Sequence, residues 1–274
     1  MRVLLLGTGT CLNPDPGTRP RMPPLFAVDL GTPADPWWLL LDCSEGARWR
    51  LPAAGVDAAS VRAIALSHPH ADHAALPQFL QGRTCDVIHR AVSDPSLALL
   101  LPRATAEAMP DLWRWHQPED GGRPSSRFAL RVTALDDRTE VTLGDRAHLT
   151  AFAVHHGHGG SPALAFRIVA GDLVLAYSGD TGPCAGVTEA ARGADLFLCE
   201  ASSRVGQDMS AYGHLSPRQA GEVACQAGAR RLVLTHYSGH DSDEAMLDDA
   251  RASGFGGVVE VGHDGDEVQL VTAT

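Results

Sequence analysis

A chain of 274 residues that is 44% hydrophobic and 20% charged can bury a substantial core, in one large domain or two small ones. Its net charge of −11 at pH 7 gives no general electrostatic attraction to nucleic acid, which disfavours a tRNA or DNA substrate without excluding it. The six cysteines are scattered with no C-x-x-C pair, and the apolar run at the N-terminus is short. No apolar run is long enough to span a membrane, and together these features predict a cytoplasmic protein.

The chain begins with a predicted strand and an irregular loop. The apolar run Arg2–Leu6 is typical of a buried strand, and glycines at residues 7 and 9 indicate a tight turn after it. Residues 13–24 contain several prolines, which fix the backbone, so they predict a surface loop that borders a site. Arg19 and Arg21 in this loop are candidate contacts for an anion, although solvated loop arginines are the simpler interpretation.

Two further strands lead into a predicted helix. Leu25–Asp29 and Trp38–Leu41 are apolar runs of strand length. Ser44 is a suitable N-cap for a helix that begins soon after the second of them. Asp42 directly follows this strand. Its position predicts one of two roles, a carboxylate that hydrogen-bonds a metal ligand from behind or a second helix cap.

Three histidines and an aspartate are concentrated between the alternating run Val61–Leu66, a predicted strand, and an apolar run that starts a helix. His68 and His70 are two residues apart, so they point to the same side of an extended segment, and Asp72 and His73 follow as the chain turns. Imidazole nitrogens with a carboxylate oxygen suit zinc, iron or manganese and leave room for water. The alternative is a histidine-rich solvated loop, but the strand-to-helix context favours a metal site.

A second group of histidines follows a strand in the middle of the chain. The elements predicted here are strands Leu97–Leu101, Arg127–Thr133, Glu140–Leu143 and His148–Val154, and the helix Ala104–His116. Phe152, Val154 and His156 share one side of the last strand by alternation. This favours His156 over His155 and His158 as a ligand, a choice that the sequence alone leaves open.

Several strands in the last part of the chain end next to polar residues. The elements predicted are the hairpin Ala163–Val169 and Leu173–Tyr177, strands Asp195–Cys199 and Arg231–Leu234, helices at 216–228 and 243–252, and strands near 257–261 and 266–271. Asp180 lies in a glycine-flanked loop after the hairpin and is either a site carboxylate or a turn aspartate that binds its own backbone. Glu200 and His236 follow strands, and His214 precedes Ser216, the predicted cap of a helix.

The pattern His-x-His-x-Asp-His at residues 68–73 closely resembles the signature of the metallo-β-lactamase superfamily. The similarity extends over nearly the whole chain and includes the later ligand-type residues in the family's order. It implies one domain over residues 1–274, folded as a four-layer αβ/βα sandwich of two mixed β-sheets with helices outside. The implied ligands are His68, His70 and His156 for one metal ion, Asp72, His73 and His236 for another, and Asp180 for both.

Three later segments resemble the ribonuclease Z and phosphodiesterase branch of this superfamily. Residues 177–181 are similar to its aspartate loop, and residues 213–216 are similar to its later His-Ser/Thr segment. Residues 199–202, Cys-Glu-Ala-Ser, are similar to the His-Glu-Ala-Thr segment of ribonuclease Z, with Cys199 in place of the histidine. No long glycine- and proline-rich arm of the kind that grips tRNA follows the metal cluster, which disfavours ribonuclease Z itself.

The resemblance implies a hydrolase in which two divalent metal ions ionise a shared water. We expect zinc, with manganese or iron as alternatives. Asp72 would orient the hydroxide as well as bind metal, and His214, supported by Glu200, would protonate the leaving group. The alternative for His214 is a contact with the start of the following helix.

Several functions remain open after this comparison. The first is a phosphodiesterase that acts on a small phosphodiester or a cyclic phosphate. The alternatives are a tRNA 3′ endonuclease of the ribonuclease Z type, a lactone or ester hydrolase that uses the same metals, and a metal-holding binding protein without turnover. A homodimer is a further expectation that the sequence leaves open.

Overall fold

The structure is a computed structural model that describes residues 1–11, 20–90, 92, 96–116, 128–157 and 163–271. Within these residues two seven-stranded β-sheets form. The first sheet contains β1 (Arg2–Gly7), β2 (Leu25–Asp29), β3 (Trp38–Leu41), β4 (Val61–Ala65), β5 (Leu97–Pro102), β6 (Leu130–Leu135) and β14 (Asp266–Gln269). The second contains β7 (Glu140–Leu143), β8 (Ala147–Val154), β9 (Ala163–Ala170), β10 (Leu173–Tyr177), β11 (Leu196–Glu200), β12 (Arg231–Thr235) and β13 (Val258–Val261).

Both sheets are mixed, and each has an antiparallel half and a parallel half. The first has the order β14-β1-β2-β3-β4-β5-β6, antiparallel as far as β3 and parallel from β3 to β6. The second has the order β13-β12-β11-β10-β9-β8-β7, parallel as far as β10 and antiparallel from there. Parallel neighbours need long crossover connections, which the helices supply.

Helices cover the outer face of each sheet. They are α1 (Ala47–Ala53), α2 (Leu76–Arg90), α3 (Arg103–His116), α4 (Ala185–Ala190), α5 (Pro217–Ala227) and α6 (Asp243–Arg251). The first three pack on the first sheet and the last three on the second. This order of layers confirms the predicted four-layer αβ/βα sandwich. Among the helices that the structure describes, none is long and apolar enough to cross a membrane.

The core between the sheets is built from alternate strand residues. Phe26 of β2 and Tyr177 of β10 meet across it, with ring centroids 5.2 Å apart. Leu25 and Leu40 point the other way and pack under the helices of the first sheet. Burial of each such side chain stabilises the fold by roughly 1.5–3 kcal/mol. The packed core therefore holds the two sheets, and the loops at their ends, in fixed positions.

The start of α1 differs from the prediction, because Ser44 is not its cap. The helix begins at Ala47 after Gly46, which has a φ of +78°, and no side chain caps it. The Ser44 hydroxyl donates instead to the carbonyl of Pro23 at 3.0 Å and accepts from Arg50 at 2.5 Å. A left-handed glycine thus sets the start of the helix, since glycine adopts this conformation without a steric penalty.

The other predicted elements are observed with small shifts at their ends. The strand predicted at Arg127–Thr133 is β6, which spans Leu130–Leu135. Ser216 caps α5 as predicted, in a reciprocal pair with Gln219. Arg19 and His158 lie outside the described residues.

Candidate metal centre

The loops after β4 and β8 bring the first three histidines together. One ring nitrogen from each of His68, His70 and His156 lies within 4.8 Å of the other two. His70 Nδ1 and His156 Nε2 are 3.1 Å apart. His156 Nδ1 donates to the carbonyl of Gly213 at 3.0 Å, which turns its Nε2 towards the other two rings. His155, the neighbouring candidate, is exposed.

A second group forms beside the first, from the loops after β4 and β12. The ligand-type atoms of Asp72, His73 and His236 also lie within 4.8 Å of one another. Nε2 of His73 and Nε2 of His236 are 3.2 Å apart, and Asp72 Oδ2 is 3.6 Å from the latter. His236 has a φ of +51°, an uncommon conformation for a residue other than glycine, and such strain is concentrated at functional sites.

Asp180, in the loop after β10, lies between the two groups. Its Oδ2 is 3.7 Å from His68 Nε2 and 3.9 Å from His156 Nε2. Its Oδ1 is 3.4 Å from His73 Nε2 and 3.4 Å from His236 Nδ1. Each oxygen of this buried carboxylate therefore faces one of the two groups.

Asp42 lies behind His73 of the second group, and it does not cap α1, which was one of its two predicted roles. Its carboxylate is completely buried and accepts from His73 Nδ1 at 2.7 Å and from the Tyr177 hydroxyl at 2.5 Å. It also accepts from the backbone N–H of Ser67 at 2.7 Å and from its hydroxyl at 2.9 Å. These bonds fix the ring of His73, as a carboxylate behind a metal-binding histidine does.

Glu200 is a second buried carboxylate behind the site, and it contacts His214 and, through Ser202, His236. This buried carboxylate accepts from the backbone N–H of Thr181 at 2.7 Å, from the hydroxyl of Ser202 at 2.7 Å and from His214 Nδ1 at 3.0 Å. His214 lies beside His156, with ring centroids 5.0 Å apart. Burial alone would lower the pKa of His214, but the Glu200 carboxylate outweighs it and raises this pKa to about 9. At neutral pH both ring nitrogens therefore carry hydrogen, and the ring is cationic.

The buried charges of the site shift several other pKa values. Burial lowers the pKa of His68 and of His156, which favours neutral rings with a free lone pair. Burial opposes a charge on His73 as well, but Asp180 and Asp42 outweigh it and raise the pKa of this ring well above its usual value. Burial would likewise raise the pKa of Asp180, yet the surrounding histidines hold it well below its usual range.

Two described residues on either side of 12–19 are Cys11, which contacts the site, and Arg21. The backbone N–H of Cys11 donates to Asp72 Oδ2 at 3.1 Å. Arg21 lies over the ring of Tyr237 at 4.0 Å and forms an ion pair with Asp243 at 3.7 Å. This arginine, a candidate anion contact by sequence, is therefore engaged by the protein itself.

Three supporting residues were not assigned a role from the sequence. Ser67, Tyr177 and Ser202 bind the carboxylates behind the histidines. Tyr177 is 135 residues from its partner Asp42, so no local pattern could have paired them. Ser67 adjoins His68, and Ser202 lies in the segment 199–202 that resembles ribonuclease Z, so the sequence drew attention to their surroundings but not to their roles.

The donor set fits divalent metal ions. His68 Nε2 and Asp180 Oδ1 are buried and make no hydrogen bond within the described chain. Buried polar atoms without partners are costly, so a group that would bind them is expected. Pairs of ring nitrogens about 3.1–3.2 Å apart are also unfavourable unless a proton or a cation lies between them. Imidazole and carboxylate ligands together suit zinc and similar ions.

Comparison with known sequences identifies the class of protein. The family model described as the β-lactamase superfamily domain matches residues 37–237. Ribonuclease Z of Mycobacterium bovis (strain BCG / Pasteur 1173P2) is 30% identical over 289 aligned positions, which cover 98% of this chain and 98% of the relative. The chain therefore belongs to the β-lactamase superfamily, as a metal-dependent hydrolase with the metallo-β-lactamase fold.

Solved structures share this fold along nearly all of the chain. The metallo-β-lactamase fold protein YhfI from Bacillus subtilis has a TM-score of 0.78 and 21% identity, with 97% of this chain and 98% of that chain covered. The short form of human tRNase Z has a TM-score of 0.75 and 21% identity, with 99% and 100% covered. A diphosphatase of the PhnP family has a TM-score of 0.70 and 18% identity, with 98% of each chain covered. At these identities the similarity establishes the fold alone.

Proposed function

We propose that this protein is a phosphodiesterase with two divalent metal ions, and that it acts on a small phosphodiester or a cyclic phosphate. The observation that carries the proposal is the pair of ligand groups on either side of Asp180. His68, His70 and His156 would hold one ion, Asp72, His73 and His236 the other, and Asp180 both. Zinc is the first choice, with manganese and iron as alternatives that the same nitrogen and oxygen donors accept.

When bound, such ions make a nucleophilic water available at neutral pH and offset the charge on the phosphoryl oxygens. The side chains of this protein provide the rest of the chemistry. Asp72 accepts the N–H of Cys11 on Oδ2, which fixes the carboxylate so that it can orient the attacking water.

His214 is the proposed general acid. Its Nδ1 is held by Glu200, so Nε2 is the nitrogen that can reach a substrate. A ring nitrogen of His214 lies within 4.8 Å of ligand-type atoms of His156 and Asp180, next to the place where a phosphoryl group would bind. With its pKa raised to about 9, the ring carries the proton that a leaving oxygen needs at neutral pH.

The choice of a small substrate rests on charge. The net charge of −11 gives no general attraction to a polyanion such as tRNA. A tRNA 3′ endonuclease remains the second candidate, because relatives of about the same length, at 30% identity, are named ribonuclease Z.

One set of assays separates these functions. The metal-free protein is reconstituted with zinc, manganese or iron and given bis(p-nitrophenyl) phosphate, a 2′,3′-cyclic nucleotide, a precursor tRNA and a lactone. We expect turnover of the first two, and no turnover by an Asp180→Asn variant. Cleavage of the precursor tRNA at a far higher kcat/KM would favour the second candidate. Hydrolysis of the lactone alone, or of nothing, would contradict the proposal.

A further inference from the structure

A serine hydroxyl lies between the carboxylate of Asp42 and one candidate ligand, His68. The Ser67 hydroxyl donates to Asp42 at 2.9 Å, and the same oxygen lies 3.0 Å from His68 Nδ1. A serine hydroxyl has one hydrogen, and Asp42 accepts it, so the oxygen must accept from His68. His68 therefore carries its hydrogen on Nδ1, and Nε2 is left with a lone pair directed at the site.

The second half of the site repeats this pattern with different residues. The Ser202 hydroxyl donates to Glu200 at 2.7 Å, and its oxygen lies 2.7 Å from His236 Nδ1. The His236 carbonyl, at 3.0 Å, is a second acceptor for the single hydrogen of this hydroxyl, so the Ser202 oxygen accepts from His236 Nδ1 whichever of the two receives it. This nitrogen is also 3.4 Å from Asp180 Oδ1, but the contact with Ser202 is the shorter one. His236 Nε2 is then free to face Asp72 and His73.

We infer that Ser67 and Ser202 are positioning residues, each of which fixes the tautomer and the ring orientation of one metal ligand. The inference rests on the metal centre proposed above. Ser67 contacts His68, which belongs to the first group, and Ser202 contacts His236, which belongs to the second. Each hydroxyl should therefore act mainly on the binding of a different ion.

The physical reason is that a histidine binds a metal ion only through a nitrogen without hydrogen. A partner on the far nitrogen selects that tautomer, and loss of such a partner typically weakens metal binding about 10–100-fold. His68 is completely buried, so without Ser67 its Nδ1 would have no water to replace the lost acceptor. The hydrogen would then be free to move to Nε2, where it blocks the ligand position.

The test is a zinc titration of the metal-free full-length protein against a chromogenic chelator. Ser67→Ala should weaken the binding of one ion about 10–100-fold, and Ser202→Ala should weaken the other by a similar factor. In a His156→Ala background, which retains only the second group, Ser202→Ala should weaken the remaining ion more than Ser67→Ala does, because Ser67 reaches that group only through Asp42 and His73. Ser67→Thr and Ser202→Thr keep the hydroxyl and should restore binding.

Ser203→Ala is the matched control, because the Ser203 hydroxyl is buried nearby and makes no hydrogen bond within the described chain. A loss of zinc affinity in this control equal to that of Ser202→Ala would overturn the inference, and so would unchanged binding in both Ser→Ala variants. Thermal melting identifies any alanine variant that fails to fold. For such a variant, the zinc affinity of the threonine variant at the same position tests the inference instead, and a loss of affinity despite the retained hydroxyl would overturn it.

A second readout separates this inference from the proposed function. Nitrogen-15 NMR of the metal-free protein reports the tautomers of His68 and His236, which should both carry hydrogen on Nδ1. The Ser→Ala variants should lose this preference. Wild-type protein that binds no cation would refute the metal centre, whereas hydrogen on Nε2 in the wild type would refute the role of the serines whether or not metal binds.

Discussion

Asp180 shows, at the scale of single residues, how the site concentrates charge. Each oxygen of its carboxylate faces nitrogens of two histidines, at 3.4–3.9 Å. The carboxylate behind His73 is a separate group, Asp42, and it is completely buried. The site thus depends on residues that touch its centre and on others that only hold the first set in place.

Replacement of Asp42 by asparagine should weaken both the fold and metal binding. The amide has one oxygen and two N–H hydrogens, so it cannot accept all of the bonds from Ser67, Tyr177 and His73. Donors left without partners cost about 1–3 kcal/mol in the free energy of unfolding. Urea denaturation and zinc titration measure the two effects.

The matched control for this prediction is Asp29→Asn. Asp29 is partly exposed at the end of β2, and it pairs with Arg2 at 3.5 Å. Its replacement should change neither quantity appreciably. Equal losses in the two variants would show that Asp42 has no special part in the site.

His214→Asn should reduce kcat by about 10²–10⁴-fold for substrates with an alkoxide leaving group. The loss should be much smaller for p-nitrophenyl substrates, because p-nitrophenolate leaves without protonation. Metal content should be unchanged. His148→Asn, at an exposed position on β8, is the control. Equal losses for both kinds of leaving group would be incompatible with a general acid.

At the scale of elements, the loop before α5 is fitted tightly against the first ligand group. Gly213 has a φ of +78°, and a Cβ added there would lie 2.4 Å from the Cα of His156 and 2.7 Å from the backbone nitrogen of Gly157. Only glycine allows this approach, and the approach lets the Gly213 carbonyl accept from His156 Nδ1.

Gly213→Ala should therefore destabilise the protein and weaken zinc binding together. Gly228→Ala is the matched control, because Gly228 also has a positive φ, of +64°, but open space around its Cβ position. The control should cost only the left-handed backbone penalty, about 1–2 kcal/mol, with zinc affinity intact. Thermal melting and zinc titration of both variants check this, and comparable effects on zinc affinity would contradict it.

The elements themselves could largely be predicted from the sequence, because alternation and caps are local signals. The Ser216 cap was predicted for this reason. The start of α1 was not, since the left-handed Gly46 rather than Ser44 sets it. The hydrogen bonds behind the candidate ligands could not be predicted from local sequence patterns. The contact between Tyr177 and Asp42, for example, depends on how the two sheets pack.

At the scale of the whole molecule, the site joins the two sheets. Asp72 and His73 follow β4 of the first sheet, whereas His156, Asp180 and His236 follow strands of the second. Bound metal ions should therefore stabilise the packing of the sheets against each other. A cation present at 100 times its Kd would add about 2.7 kcal/mol to the free energy of unfolding.

Chelation should lower the Tm of the protein for the same reason, and added zinc should restore it. Differential scanning calorimetry with and without a chelator measures this change. An Asp180→Asn variant should start from a lower Tm and respond less to zinc. A Tm that does not depend on the chelator would show that no cation joins the sheets.

The measurement that tests the account most directly is the metal content of purified protein, determined by inductively coupled plasma mass spectrometry. We expect two divalent metal ions per chain in the wild type, and one in either His156→Ala or His236→Ala, since each variant disrupts one ligand group. Wild-type protein that is active yet holds no cation, or single variants that keep both ions, would contradict the account.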